Sequence, residues 1–574
     1  MKVSDYIAKF IESRGVRDIF ELSGGMITHL LDSFSQKTNV NIYTVHHEQA
    51  ASFAADAYGR VTGIPGVALA TSGPGATNLL TGIGSCYFDS SPAIFITGQV
   101  NVSEQKGRRK IRQLGFQETD IVSMSRPVTK KVYSIRTPDE VPRVLEEAFE
   151  IAVKGRPGPV LIDIPMNVQS AQIKSAFKIS ESREPKIEYD HSKSIKRLLT
   201  AIQSAERPLL LVGRGIRASF SDQQLNKFIE ITKLPTVTSL LGIDSLPYNS
   251  KYRVGFIGSY GNRWANMLVG ESDLLIVMGS RLDIRQTGAD TKYFQNRKIF
   301  HIDCEKAEIN NRITGCVPVV ADLRDFLNQF LAYSKLTLFK ENQIWLKHIN
   351  DLKEKYPDDK ELNTEGINPN EFVHKLSKAS IGAIAFLSDV GAHQMWVAQS
   401  IEITMGQHFI TSGGMGAMGF ALPAAIGATI ALGKRPVVAL IGDGSMQINL
   451  QELQTIVRNK LPVKIIVLNN QSLGMITQFQ QSYFDSRYQS TYWGYSAPDF
   501  AKIATAYGIK SKTINNKSQC DNALRWLWNS ENVSQPVLLQ VMIQPLTNVY
   551  PKIAFGRPII EMEPFAKPIE MEGT

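Results

Sequence analysis

The chain has 574 residues, 43% of them apolar and 20% charged, which is enough to build large cores and too long for one compact domain. Lys and Arg number 63 against 54 Asp and Glu, a formal charge of +9. So modest an excess argues for anionic small ligands rather than a nucleic-acid partner, which calls for a dense basic face.

In chain order, "MKVSDYIAKFIESRGV" has a helical period but lacks the long apolar stretch of a signal peptide. No run approaches the roughly 18 consecutive apolar residues of a membrane span. The four cysteines, Cys86, Cys304, Cys316 and Cys520, form no CxxC pair and fit free thiols. A soluble cytoplasmic protein without a membrane partner is expected. The first block, residues 1–175, offers "NIYTVHH", "GVALATSGPG", "SPAIFITGQ" and "GPVLIDIP" as strands. "HEQAASFAADAYGRVTG" is predicted as a helix, with Ala50, Phe53, Ala54 and Ala57 on one apolar face. The polar stretch 179–194 is expected to be a linker. The second block, 190–335, holds "RPLLLVGRG", "LPTVTS", "DLLIVMGSRLD" and "KIFHIDCE", and the charged run 353–366 closes it. The third, 368–545, holds "AIAFLSDVGAHQ", "RPVVALIGDG", "VKIIVLNN" and "PVLLQVMI". Continuous apolar strands joined by helices predict three doubly wound, parallel-sheet α/β domains. Their ligands are then expected beyond the carboxyl ends of the strands. The segment 546–574, with little periodicity, is expected to be an extended tail over the surface.

The third block carries the most informative chemistry. Asp443 stands between Gly442 and Gly444 after the strand "VVALI", and the glycines allow a sharp turn and close approach of a ligand. Ser445 is expected to cap the helix "MQINLQELQTIVRNK", whose N-terminus attracts phosphate. Asn470 follows 27 residues after Asp443, at the end of the next strand. The carboxylate of Asp443, the amide oxygen of Asn470 and a backbone carbonyl, assigned to Ser472, make a hard oxygen set suited to Mg²⁺. By itself a GDG turn with an Asn cap is explained equally well by an ordinary βαβ unit.

The spacing from GDG to NN, with "LGM" following, resembles the motif of thiamine diphosphate-dependent enzymes. That resemblance implies the cofactor. It implies that Glu48, in "YTVHHEQAA", is the carboxylate acting on the aminopyrimidine; alone, a Glu in a first helical turn is explained by the helix dipole. "TSGPGATNLLTGI", "SDVGAHQMW" and "TSGGMGAMGFALPAAIGA" resemble the family's other cofactor loops. They assign Gly391, His393, Gln394, Gly416, Met418, Gly474 and Met475 to the cofactor, with Met418 as the apolar wedge between its two rings.

Over nearly the whole chain the resemblance is to the large catalytic subunit of acetolactate synthase. It implies pyruvate plus a second carbonyl substrate, and a homodimer or homotetramer whose active sites lie at the subunit interface. Gln117 and Gly25 match active-site positions, and Met26, Arg285 and Phe479 match substrate-binding ones. The middle block resembles a domain that binds FAD without a net redox role. Gly213, Gly215, Gly279, Arg281, Asp283, Arg285, Asp303 and Asp322 are the matching positions; glycine turns of this kind also occur without a flavin. The departures fall mainly near the acceptor: Phe479 where the family has Trp, "SGGM" for "PGGA", and a loop carrying Lys106, Arg108, Arg109, Lys110 and Arg112. The tail "AFGRPIIEMEP" also replaces the family's usual ending. The basic loop suits a phosphate-bearing acceptor, such as a nucleotide-linked keto sugar, or is a solvated turn. Ordinary acetolactate synthase, a pyruvate oxidase or decarboxylase, and a cofactor-binding protein without turnover remain the alternatives.

Overall fold

The computed structural model describes residues 1–173, 189–295, 297–334 and 337–569. Three six-stranded sheets form its frame, and every pairing within them is parallel. The first contains β1 (Asp18–Leu22), β2 (Asn41–Thr44), β3 (Gly66–Ala70), β4 (Ala93–Gln99), β5 (Lys131–Ser134) and β6 (Pro159–Pro165). The second contains β7 (Pro208–Val212), β8 (Thr236–Thr238), β9 (Arg253–Phe256), β10 (Leu274–Met278), β11 (Lys298–Asp303) and β12 (Val317–Val320). The third contains β13 (Ala385–Ser388), β14 (His408–Thr411), β15 (Val437–Gly442), β16 (Val463–Asn469), β17 (Lys510–Ile514) and β18 (Val537–Met542).

The central strands are buried on both faces, as their unbroken apolar runs require. Strand order is β2-β1-β3-β4-β6-β5 in the first sheet and β14-β13-β15-β16-β18-β17 in the third. Numbered within each sheet, these two orders are the same. The middle sheet runs β12-β11-β10-β7-β8-β9, the order of dinucleotide-binding folds. In each sheet the order reverses at one point, between β1 and β3, β7 and β10, or β13 and β15, and a crevice opens there beyond the strand ends. Glycine loops singled out from sequence leave these six strands, whereas Glu48, Gln117, Met418 and Asn470 follow their neighbours β2, β4, β14 and β16.

The first and third units share one apolar core. The helix Glu48–Thr62 lies directly on the helix Ala421–Ala431, so closely that a Cβ on Gly427 would sit 2.0 Å from the Ala54 carbonyl oxygen. Alanines at 50, 51, 54, 424, 425 and 428 allow the backbones to meet. An ion cluster reinforces the contact. Arg60 binds Asp56 at 2.6 Å and Asp89 at 2.9 Å, and donates to the Thr411 carbonyl at 2.8 Å. Asp89 in turn accepts from the N–H groups of Gly413 and Gly414.

Two expectations from sequence are corrected, and the charged run 353–366 packs against its neighbours. Its Glu361 makes a two-point bond to Arg263, both side chains being buried, and Asp358 binds His374. The tail does more than lie on the surface. Ile553, Ile559 and Met562 enter the core of the middle unit, and Arg263 donates to the carbonyls of Met562 and Glu563. The helix predicted after Asp443 is two helices, Asp443–Ile448 and Glu452–Arg458, separated where the Asn449 side chain binds the Gly419 carbonyl and Gln49. Most of the linker predicted at 179–194 falls outside the described residues, and Ser192 already opens the helix Ser192–Ser204. Among the described residues, no helix is long and apolar enough to cross a membrane.

Candidate functional site

At the β13–β15 crevice the helix Asp443–Ile448 starts directly on the strand end, with Gly442 as its cap residue. Ser445 therefore lies inside the helix rather than capping it, and its Oγ donates to the Val390 carbonyl across the crevice at 3.0 Å. A Cβ on Gly442 would sit 2.5 Å from His393 Nδ1. One on Gly444 would sit 2.7 Å from Leu473 and 3.3 Å from both Met418 Cε and the Tyr495 hydroxyl. Only glycines fit this turn, and the backbone is left bare toward the crevice.

The Asn470 side chain donates to Ser472 Oγ at 2.9 Å, while its amide oxygen faces two other oxygens, the Ser472 carbonyl at 2.9 Å and Asp443 Oδ1 at 3.3 Å. Rotating the amide lets its NH2 donate to the Ser472 carbonyl and Asp443 Oδ1 and its oxygen accept from the Ser472 hydroxyl. In either orientation the Asp443 carboxylate, the Asn470 amide and the Ser472 carbonyl converge within 3.3 Å, and with the amide oxygen turned inward they form a hard oxygen set that a small divalent cation would hold together. Asp443 Oδ2 is shielded and has no hydrogen-bond partner among the described residues. Burial pushes the Asp443 carboxyl up to about 6, and a bound cation would reverse that. The oxygen set thus fits Mg²⁺ in composition and spacing.

Around this turn, His393 is buried, its Nε2 is unpartnered, and burial pushes its pKa down to about 3, so the ring stays neutral. The Gln394 amide donates to Thr411 Oγ1 and the Ser412 carbonyl, tying the loop after β13 to the loop that carries Met418. Gly391 and Gly416 have φ of 153° and 66°. Gly474 opens the helix Gly474–Tyr483, which holds Met475 half-buried and Phe479 exposed, the Phe479 ring 4.8 Å from that of Tyr483.

A second group gathers at the β1–β3 crevice. Glu48 is the first residue of its helix and is buried; Oε2 accepts from Asn78 Nδ2 at 2.9 Å. A Cβ on Gly75 would lie 3.1 Å from Oε1. The same loop meets Gln117, whose Cβ is 3.0 Å from the space beside Gly73. Gln117 has φ of 66°, a conformation costly for a non-glycine residue and concentrated at functional sites. Met26 donates its N–H to Thr71 Oγ1, and Gly25 stands open with nothing within 4 Å of its Cβ position. Glu48, Gln117, Gly25 and Met26 therefore surround one loop, Thr71–Gly75. Among the described residues, no hydrogen bond or ion pair joins Glu48 to the Asp443 turn. The neighbouring Gln49 instead meets Asn449, at the far end of the helix that Asp443 begins.

The β7–β10 crevice is a cleft of about 1210 Å³. Its walls include Gly215, Gly279, Arg281, Asp283, Arg285, Asp303 and Asp322, so the structure brings these predicted positions together. Gly213 packs beneath, its Cβ position 2.4 Å from the Gly279 carbonyl oxygen. Asp283 caps the short helix Ile284–Thr287 and Asp322 the longer helix Leu323–Tyr333, each with a carboxylate oxygen, and Asp303 accepts from the Glu305 N–H. Arg285 is exposed at the rim. Phe88 and Arg156 of the first unit and Met395 and Gly414 of the third complete the walls.

Sequence reasoning missed Asp389, Asn78, Tyr495 and Arg214. Asp389 is buried and accepts from the N–H groups of Val390, Gly419 and Ala421, fixing the loop that presents Met418. Both Asp389 and Asn78 stand inside motifs that sequence reading picked out, and their position at strand or helix ends was the available signal. Tyr495 lies in an irregular segment that carries no such signal.

Two glycine crevices of identical strand order flank a middle sheet of dinucleotide-binding order, and family comparison agrees with that layout. Profiles described as the N-terminal TPP binding domain, the central domain and the C-terminal TPP binding domain of thiamine pyrophosphate enzymes match residues 1–124, 195–330 and 389–541. The chain belongs to the thiamine pyrophosphate enzymes. Within that class it is 37% identical to the acetolactate synthase large subunit of Pyropia yezoensis, over 97% of this chain and 94% of that protein. It is 36% identical to the isozyme 2 large subunit of Escherichia coli, over 98% and 99%, and 37% identical to the probable large subunit of Methanocaldococcus jannaschii, over 95% and 92%. Its type is therefore the C–C bond-forming, thiamine diphosphate-dependent enzyme of the acetolactate synthase branch.

Proposed function

We propose that this protein is a cytoplasmic carboligase that decarboxylates pyruvate and transfers the two-carbon unit to a second carbonyl compound carrying an anionic group. Mg²⁺ and a non-redox FAD are its further cofactors. The observation that carries the cofactor assignment is the buried Asp443 carboxylate, with Oδ2 unpartnered among the described residues, converging with Asn470 and the Ser472 carbonyl beside a glycine turn.

Asp443, Asn470 and the Ser472 carbonyl would hold the cation, and the bare backbone at Gly442 and Gly444 would admit the diphosphate. Met418, next to Gly444, would support the space between the rings. Bound thiamine diphosphate supplies an electron sink for the carbon left when a 2-keto acid loses CO₂. Glu48, steadied by Asn78, holds and returns the proton at the aminopyrimidine. Glu48 and the Asp443 turn lie in different crevices, and we read the complete site as formed by two subunits, each supplying one half. Gln117 and Glu48 meet the same Thr71–Gly75 loop, and Arg285, at the cleft rim and without an ion pair among the described residues, is read as the group that meets a substrate carboxylate. Gly25 is assigned to the active site, and Met26 and Phe479 to the substrate.

The acceptor reading rests on the loop before Gln117. Among the described residues, Lys106, Arg108, Arg109, Lys110 and Arg112 form no ion pair. The nearby carboxylates are occupied, Glu104 by the Asn101 N–H and Glu118 by those of Lys106 and Leu114. Exposed cationic side chains on the loop that leads to Gln117 attract anions, and a nucleotide-linked keto sugar is one such acceptor. The second reading, ordinary acetolactate synthesis, is favoured by the relatives. Mass analysis of products from pyruvate, alone and with phosphorylated keto compounds, separates the two. Acetolactate as the sole product, with acceptor KM unmoved by serine at the loop arginines, would defeat the anionic-acceptor reading.

A further inference from the structure

The loop between β7 and the short helix Gly215–Ala218 reads Gly213-Arg214-Gly215. Both glycines are forced: their Cβ positions fall 2.4 Å from the Gly279 carbonyl oxygen and 2.6 Å from Gly279 Cα. The loop after β7 and the loop after β10 thus touch backbone to backbone. Only the residue between the glycines can carry a side chain, and it is arginine.

Arg214 lines the 1210 Å³ cleft and also an adjoining one of about 810 Å³. Its Nε is shielded from solvent without a partner, and among the described residues no hydrogen bond or ion pair reaches its guanidinium. The arginines around it are committed. Arg60 is tied to Asp56 and Asp89, Arg156 to Glu305 and Glu308, and Arg217 to Asp222 and Asp244. Burial, with the nearby charge of Arg60, pushes Arg214 down to about 10. The carboxylates of Asp244, Asp56 and Asp89 act on it from a distance, but none is bonded to it; a partly buried guanidinium whose Nε is shielded and unbonded gains when an anion arrives. A phosphate does this best, because the planar fork of arginine meets two of its oxygens.

We propose that Arg214 anchors the phosphate of a nucleotide or dinucleotide seated in the middle-unit cleft. The proposal deepens the reading of that cleft as a flavin site and rests on it only for the choice of FAD. The carboxylates of Asp283, Asp303 and Asp322 along the cleft suit the hydroxyls of such a ligand. The dinucleotide-type strand order puts the guanidinium at the crevice where the diphosphate of one would lie.

The test uses the full-length protein, with Arg214→Gln and Arg214→Lys beside the parent. FAD, ADP and riboflavin are each titrated by calorimetry and by thermal-shift measurement. The parent is expected to bind FAD or ADP. Arg214→Gln should weaken that binding roughly 10- to 100-fold, the range for losing a charged hydrogen bond. Riboflavin, which has no phosphate, should be unaffected, and Arg214→Lys should fall between. Ligand-free Arg214→Gln should melt at or above the parent temperature, since it loses an unpaired charge. Binding of ADP but not FAD would overturn the flavin assignment and uphold the role of Arg214. Equal affinity of parent and Arg214→Gln for the phosphorylated ligands, equal weakening of riboflavin, or no binding of FAD or ADP by the parent would overturn the proposal.

Discussion

Replacing Arg60 with Met tests the buried junction between the first and third units. The guanidinium makes three contacts of 2.6–2.9 Å with Asp56 and Asp89 and one of 2.8 Å with the Thr411 carbonyl. Both carboxylate side chains have 0% exposure. Asp89 keeps the N–H groups of Gly413 and Gly414 in the variant, whereas Asp56 loses both of its charged bonds. Breaking a buried pair in this way costs about 3–5 kcal/mol, most of it from the charges left behind. For a unit of this size that lowers the melting temperature by roughly 6–20 °C. Calorimetric melting of Arg60→Met, Asp56→Asn and the double variant provides the assay. The double variant should be more stable than Arg60→Met, because one stranded charge has been neutralised. A loss below about 1 kcal/mol for Arg60→Met, or strict additivity of the two substitutions, would refute the reasoning.

Two further outcomes follow from the same coordinates. Burial alone would lower the pKa of His374, but its hydrogen bonds to Asp358 and Glu402 outweigh that and push it up to about 9. The resulting stability, roughly 3 kcal/mol, is complete below about pH 6.5 and is lost as pH rises toward 9. His374→Gln should therefore flatten denaturant stability across that window, and an unchanged slope would contradict it. Gly442→Ala would place a methyl 2.5 Å from His393 Nδ1. It should weaken thiamine diphosphate binding at least 10-fold in a titration while melting stays cooperative; unchanged affinity would count against the cradle.

The central strands were legible because a strand buried on both faces needs an unbroken apolar run, as "VVALI" and "VKIIVL" have. The strands that sequence reading passed over are mostly edges: β5, β9, β12, β14 and β17. β5, β12 and β17 are partly exposed, so runs such as "KSKTI" carry no unbroken apolar signal, while β9 and β14 are largely buried but only four residues long. β1 was hidden differently, since its Asp18 and Glu21 are charged residues that are nevertheless buried. At the site, Asp443 and Asn470 stood out because glycines and strand ends mark where a backbone must stay open, whereas Glu48 was picked out through the family resemblance. Arg214 could not. Its meaning lies in having no hydrogen bond or ion pair among the described residues, which only the packing of two distant loops reveals. Nor could the helix break at Asn449, which follows from contacts to Gly419 and Gln49.

The central claim is a catalytic site assembled from the Glu48 half of one subunit and the Asp443 half of another. Mixed dimers of Glu48→Gln chains with Asp443→Ala chains, supplied with thiamine diphosphate, Mg²⁺ and pyruvate, test it most directly. Each parent variant alone should release CO₂ at least about 100-fold more slowly than the unmodified protein. The mixed dimer should regain activity from the single site whose two halves are both intact. Mixed dimers as inactive as their parents, or Glu48→Gln chains as fast as the unmodified protein, would contradict the account.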